Sequence, residues 1–70
     1  MEGAETMSGK SVRAVSNVYL DRNLPPVRIM KGMVYNVEDV VENCIILHSD
    51  GGPSFLVDMY TFERTFEAMI

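Results

Sequence analysis

Apolar and polar positions alternate from Ser11 to Asp21, with Val12, Ala14, Val18 and Leu20 on one face and Arg13, Asn17 and Asp21 on the other. Period two predicts a half-buried strand. Asp21 to Pro26 follows as a loop, because the Pro25-Pro26 pair removes two backbone donors and fixes φ. Val27 to Met30 resumes as a short strand with Val27 and Ile29 on one face, and Lys31-Gly32 turns the chain. The next strand sets Met33, Tyr35 and Val37 against Val34, Asn36 and Glu38. Glu38-Asp39 interrupts that alternation, which a bulge before Val40 and Val41 accommodates. Glu42-Asn43 is a reversal, since Asn tolerates left-handed backbone.

Cys44 to His48 is almost wholly apolar and rich in β-branched residues, as in an interior strand. Ser49-Asp50-Gly51-Gly52-Pro53 carries the strongest turn signal, because Asp-Gly supplies the positive φ of a tight hairpin. Ser54 to Val57 is the returning strand. After Asp58 two readings compete. Asp58 caps a helix bearing Phe62, Phe66 and Met69 on one face, or a single 3₁₀ turn at Met59–Thr61 precedes a closing strand at Arg64–Met69. The second is favoured, because an open five-stranded sheet needs its edge managed. The prediction is therefore all-β, or β with a short C-terminal helical turn, as one domain over residues 11–70. Residues 1–10 are small, polar and aperiodic and read as a disordered tail.

Lys31-Gly32-x-x-Tyr35-x-Val37, the Asp50-Gly51 turn and the late Phe62 resemble the small five-stranded SH3-like β-barrel proteins of bacteriophage and prophage genomes. The resemblance runs from about Val12 to Phe66. It implies a fold and a phage origin but no shared activity, since a fold does not fix function. The turn Gly51-Gly52-Pro53 and the pair Phe62 and Phe66 depart from the usual pattern.

Composition narrows the chemistry. Seventy residues form one domain near the lower limit for a self-sufficient core. Cys44 is the single cysteine, which excludes an internal disulfide and fits a reducing, cytoplasmic setting (the host cytoplasm if phage-encoded). No stretch reaches the apolar length of a membrane span, and the N-terminus lacks a signal-peptide pattern. A structural metal site wants four Cys/His-type ligands, and Cys44 and His48 are the only ones; neither metal nor cofactor is expected.

Charge is −4 overall, yet residues 1–31 sum to +2 and residues 32–70 to −6. Phosphate backbones demand clustered cations, which the C-terminal half lacks, so nucleic acid is an unfavoured partner. Its alternative footing is the basic half, Arg13, Arg22, Arg28 and Lys31.

An enzyme is not expected. Cys44 and His48 share one strand face, but four residues of strand separate them by about 13 Å, against the hydrogen-bond reach of about 3 Å that a dyad needs. His48-Ser49-Asp50 holds triad residue types that consecutive positions cannot converge. Glu38-Asp39-Val40-Val41-Glu42 lacks the alternating oxygens of a calcium loop, and Gly51-Gly52 is too short to cradle a phosphate. Tyr35 and Phe55 alternate inward, leaving Tyr19 and Tyr60 as the exposed aromatics.

Two binding surfaces follow. Glu38, Asp39 and Glu42 are the candidate protein-binding residues, suited to a host protein with a basic surface that the chain docks on and modulates or inhibits; otherwise they are a solvated acidic turn. With Ile45, Leu47, Phe55 and Val57 inward, Cys44, Ile46 and Leu56 form an outward apolar patch, with His48 outward beside it. Either that patch is a homodimer interface, or Phe66, Met69 and Ile70 fold over it.

Overall fold

Residues 9–69 are described by a computed structural model, and the period-two segments become seven short strands and one helix. In chain order they are β1 (Ser11–Ala14), β2 (Val18–Leu20), β3 (Val27–Ile29), β4 (Val34–Val41), β5 (Cys44–His48), β6 (Ser54–Asp58), α1 (Met59–Thr65) and β7 (Phe66–Ala68). Five strands form one antiparallel sheet in the order β6-β5-β4-β1-β7, and β2 and β3 form a separate two-stranded hairpin. The fold is mostly β. The sheets are not closed into a barrel, because β6 and β7 end the large sheet without pairing to one another.

The first strand of the sequence reading is two strands in different sheets. Val15 N–H turns to Thr65 O at 2.7 Å, and the chain leaves the large sheet there. Residues 15–17 form a three-residue break that restores the starting parity, so Val12, Ala14, Val18 and Leu20 keep their alternation across two elements. Strand periodicity is blind to an interruption of that kind.

Both edges of β4 were legible, with differences in detail. The bulge lies between Val37 and Asp39 and leaves Glu38 as the extra residue. Met33 falls outside β4 and is exposed rather than buried beside Tyr35; its Sδ accepts from the Tyr35 hydroxyl at 3.6 Å. In the two-residue reversal, Glu42 and not Asn43 takes the positive φ, at 53°. The tail boundary also moves. Gly9 N–H donates to Val37 O and Val37 N–H to Lys10 O, both at 2.8 Å, so Gly9 and Lys10 extend the β1–β4 ladder. Met1 to Ser8 and Ile70 lie outside the described residues.

After Asp58, parts of both readings are realised. Asp58 Oδ2 accepts from Thr61 N–H at 3.0 Å and caps a seven-residue helix, longer than the 3₁₀ turn favoured from sequence. The helix ends when Phe66 turns extended, and a closing strand of three residues pairs with β1, shorter than Arg64–Met69. This brings Phe62 from α1 and Phe66 from β7 into contact at 5.4 Å between ring centroids. Phe66 and Phe55 each meet Tyr35 edge-on, at 5.7 and 5.6 Å, the geometry aromatic quadrupoles prefer. Around these rings close Val12, Ile29, Val37, Ile45, Leu47 and Val57, one inner sheet face covered by β3 and α1. Burial pushes the Tyr35 phenol above its ordinary pKa.

Candidate functional site

The site is set by parity on the outer face of the β4–β5–β6 meander. Pairing aligns three rungs across it: Val41, Cys44 and Asp58; Asp39, Ile46 and Leu56; Asn36, His48 and Ser54. Ile45, Leu47, Phe55 and Val57 are buried beneath, as the alternation requires. Of the apolar members, Val41 is 46% and Leu56 51% exposed, while Cys44 and Ile46 are half-buried. The predicted patch of Cys44, Ile46 and Leu56 is therefore one surface, and Val41 joins it. That fourth residue was missed in the sequence, although a two-residue reversal at Glu42-Asn43 necessarily sets Val41 opposite Cys44.

Carboxylates rim this strip. Asp39 and Asp58 stand on its two lower rungs, Glu38 sits at the bulge and Glu42 at the hairpin tip. The three predicted binding acids thus run along β4 from its bulge to the hairpin tip but are not equivalent. Glu38 accepts a hydrogen bond from the Ser54 hydroxyl across β5. Asp39 Oδ1 accepts from Val40 N–H at 2.8 Å, and Glu42 is exposed in the reversal. Asp58 is held below the ordinary carboxylate range, first by the Thr61 backbone N–H it caps, with Arg22 adding to the effect. Among the described residues the one ion pair joins Arg13 to Glu67 at 2.5 Å, on β1 and β7 and away from this rim.

That ion pair also divides the basic half, because Arg13 is neutralised in place. Arg28 lies 5.4 Å over the Tyr19 ring that it opposes in the β2–β3 hairpin. Tyr60 likewise carries Arg64, at 5.2 Å, with a 2.8 Å hydrogen bond to its hydroxyl. Tyr19 and Tyr60, the two aromatics expected at the surface, are 56% and 68% exposed. A groove of about 600 Å³ runs between the β2–β3 loop and β6, with Tyr19, Arg22, Asn23, Cys44, Leu56 and Asp58 in its walls.

Cys44 and His48 occupy rungs at opposite ends of β5, and His48 Nδ1 lies 3.0 Å from Ser49 O. No group of three or more His, Cys, Asp and Glu side chains placed to hold a metal occurs among the described residues. Among them, no helix is long and apolar enough to cross a membrane. The C-terminal cover weighed for the patch is not formed by Phe66 or Met69. Phe66 is in the core, and Met69 N–H bonds to Ser11 O at 3.1 Å beside β7, at the sheet edge opposite β6. Comparison with known proteins returned no family model, no curated relative and no solved structure that matches this chain.

Proposed function

We propose that this chain is a non-catalytic protein-binding module that docks on a host protein through the outer face of β4, β5 and β6. The observation that carries the reading is an apolar strip, Val41, Cys44, Ile46 and Leu56, edged by Glu38, Asp39, Glu42 and Asp58. An apolar centre with a charged rim is the layout of a transient interface, and the sign of the rim selects a partner with a basic surface. A two-fold dimer across the same face would set both acidic rims together, so a basic partner suits the strip better than a second copy. The strand order β6-β5-β4-β1-β7, with a hairpin inserted between β1 and β4, is compatible with an SH3-like architecture, and the phage origin proposed with it rests on the resemblance of Lys31-Gly32-x-x-Tyr35-x-Val37 alone. Modulation or inhibition of that partner in the host cytoplasm is the activity inferred.

The test is capture from bacterial lysate with three baits: the parent, Ile46→Lys, and a triple reversal of Glu38, Asp39 and Glu42 to Lys. One stoichiometric partner held by the parent and lost by Ile46→Lys is expected. The triple reversal should bind that partner with a slower on-rate and a flatter salt dependence, since rim charges act mainly on encounter. Identical capture by all three baits refutes the reading. The charge reversal should leave the melt nearly unchanged, because exposed charges contribute little to stability.

A further inference from the structure

We propose that the outer edge of β6 is a latent pairing site for β6 of a second copy, and that the Asn23 side chain is the latch that keeps it shut. The hydrogen bond from Met59 N–H to Asn43 O, at 2.7 Å, fixes the parity of the β5–β6 ladder. Ile45–Val57 and Leu47–Phe55 are then the hydrogen-bonded rungs, because such rungs alternate along an antiparallel pair. Ser54, Leu56 and Asp58 therefore turn their backbone groups away from β5, into the groove that separates β6 from the β2–β3 loop. An edge of this kind is a template for another strand.

At its midpoint that edge is occupied. Asn23 Nδ2 donates to Leu56 O at 3.0 Å, and Leu56 N–H donates to Asn23 Oδ1 at 2.9 Å. One side-chain amide thus supplies the donor and acceptor that a neighbouring strand would supply. Asn23 reaches β6 from the loop between β2 and β3, 33 residues away in sequence. Among the described residues, these two are the hydrogen bonds between that loop and β6.

The edge suits a second copy in one register. Two β6 strands running antiparallel about Leu56 set Leu56 against Leu56 and each Ser54 against Asp58 of the other copy. That pairing joins exposed apolar side chains at the centre and sets each carboxylate opposite an uncharged Ser54 rather than opposite the other carboxylate. Centring on Asp58 instead would oppose two carboxylates directly, which is unfavourable. The arrangement is two-fold and closes at two copies. The other sheet edge offers only the three residues of β7, where Phe66 N–H is already bonded to Phe62 O.

Sedimentation of the full chain over a range of loading concentrations, with hydrogen exchange of the Leu56 amide, tests this. The parent should remain monomeric with a protected Leu56 amide. Asn23→Ala should show a mass that rises to twice the monomer with concentration. Its Leu56 amide should exchange fast when dilute and slowly when concentrated. Adding Leu56→Lys to Asn23→Ala should restore the monomer, since two lysines would meet at the axis. Should Asn23→Ala fail to fold, Asn23→Ser carries the same expectation, because a hydroxyl on so short a side chain cannot span both backbone groups. Asn23→Ala that stays monomeric throughout, a dimer that survives Leu56→Lys, assemblies beyond two copies, or a parent already dimeric would each overturn the proposal.

Discussion

Replacing Glu42 with glycine should stabilise the protein, although it removes a side chain and a charge. Glu42 holds φ at 53° in the reversal between β4 and β5. Left-handed backbone costs a residue with a Cβ about 1–2 kcal/mol, and glycine nothing comparable. Against this, glycine frees the unfolded chain by about 0.4–1 kcal/mol. Glu42 is exposed and forms no ion pair among the described residues, so no packing or charge contact offsets the balance. The net gain is about 0.5–1 kcal/mol, which for a domain this small is a rise of roughly 3–6 °C in Tm. Thermal melts of the parent, Glu42→Gly, Asn43→Gly and Glu42→Lys separate the contributions. Asn43→Gly should melt lower than the parent, because Asn43 does not take positive φ. Glu42→Lys keeps the strained backbone and changes only the charge, so its Tm should stay near the parent's. A lower Tm for Glu42→Gly together with a higher one for Asn43→Gly would put the left-handed residue at Asn43 and refute the reasoning.

Three further outcomes are expected. Leu47→Ala should cost about 2–5 kcal/mol, against a total stability of roughly 4–10 kcal/mol for a chain of this size; a urea midpoint near the parent's would mean Leu47 is not in the core, where it is fully buried. Truncation through Lys10 should lower Tm by several degrees relative to truncation through Ser8, because it strips both hydrogen bonds from buried Val37; equal melts would return Gly9 and Lys10 to the tail. Asp58 has its pKa lowered on folding by the Thr61 N–H, so its contribution is complete above the unfolded value of about 3.9 and fades as pH falls below it. Asp58→Asn keeps a capping acceptor without a titrating group, and its Tm should fall less steeply than the parent's through that acid range.

What could be read from the sequence was local. Alternation placed Ile45, Leu47, Phe55 and Val57 inward and Leu56 outward, because strand parity needs only a few neighbouring residues to declare itself. Turn chemistry marked Gly32 and Gly51, which take φ of 94° and 76° where a Cβ would be strained. The segment after Asp58 was ambiguous because its residues serve two elements in succession: the capping Asp58 and Phe62 belong to a helix, and Phe66 to a strand. Contacts between distant segments left no local trace. Arg13 with Glu67 spans 54 residues, and Asn23 with Leu56 spans 33. In the sequence, Asn23 is one polar residue in a proline-containing loop. Only the return of β6 beside that loop makes its amide a strand surrogate.

Leu56 belongs to both proposed surfaces, and the two uses separate chemically. Toward the outer face it offers its side chain, beside Ile46; toward the edge it offers its backbone N–H and C=O, which Asn23 takes. Ile46 lies on the neighbouring strand and has no part in the edge. Ile46→Lys should therefore abolish partner capture while the Leu56 amide stays as protected from exchange as in the parent. Asn23→Ala should do the reverse at dilute concentration, losing that protection while partner binding persists, because the apolar strip and its acidic rim are untouched. Hydrogen exchange and partner titration on the same two variants give four readings. If either variant changed both properties, the outer face and the edge would be one coupled surface, with Leu56 transmitting between them.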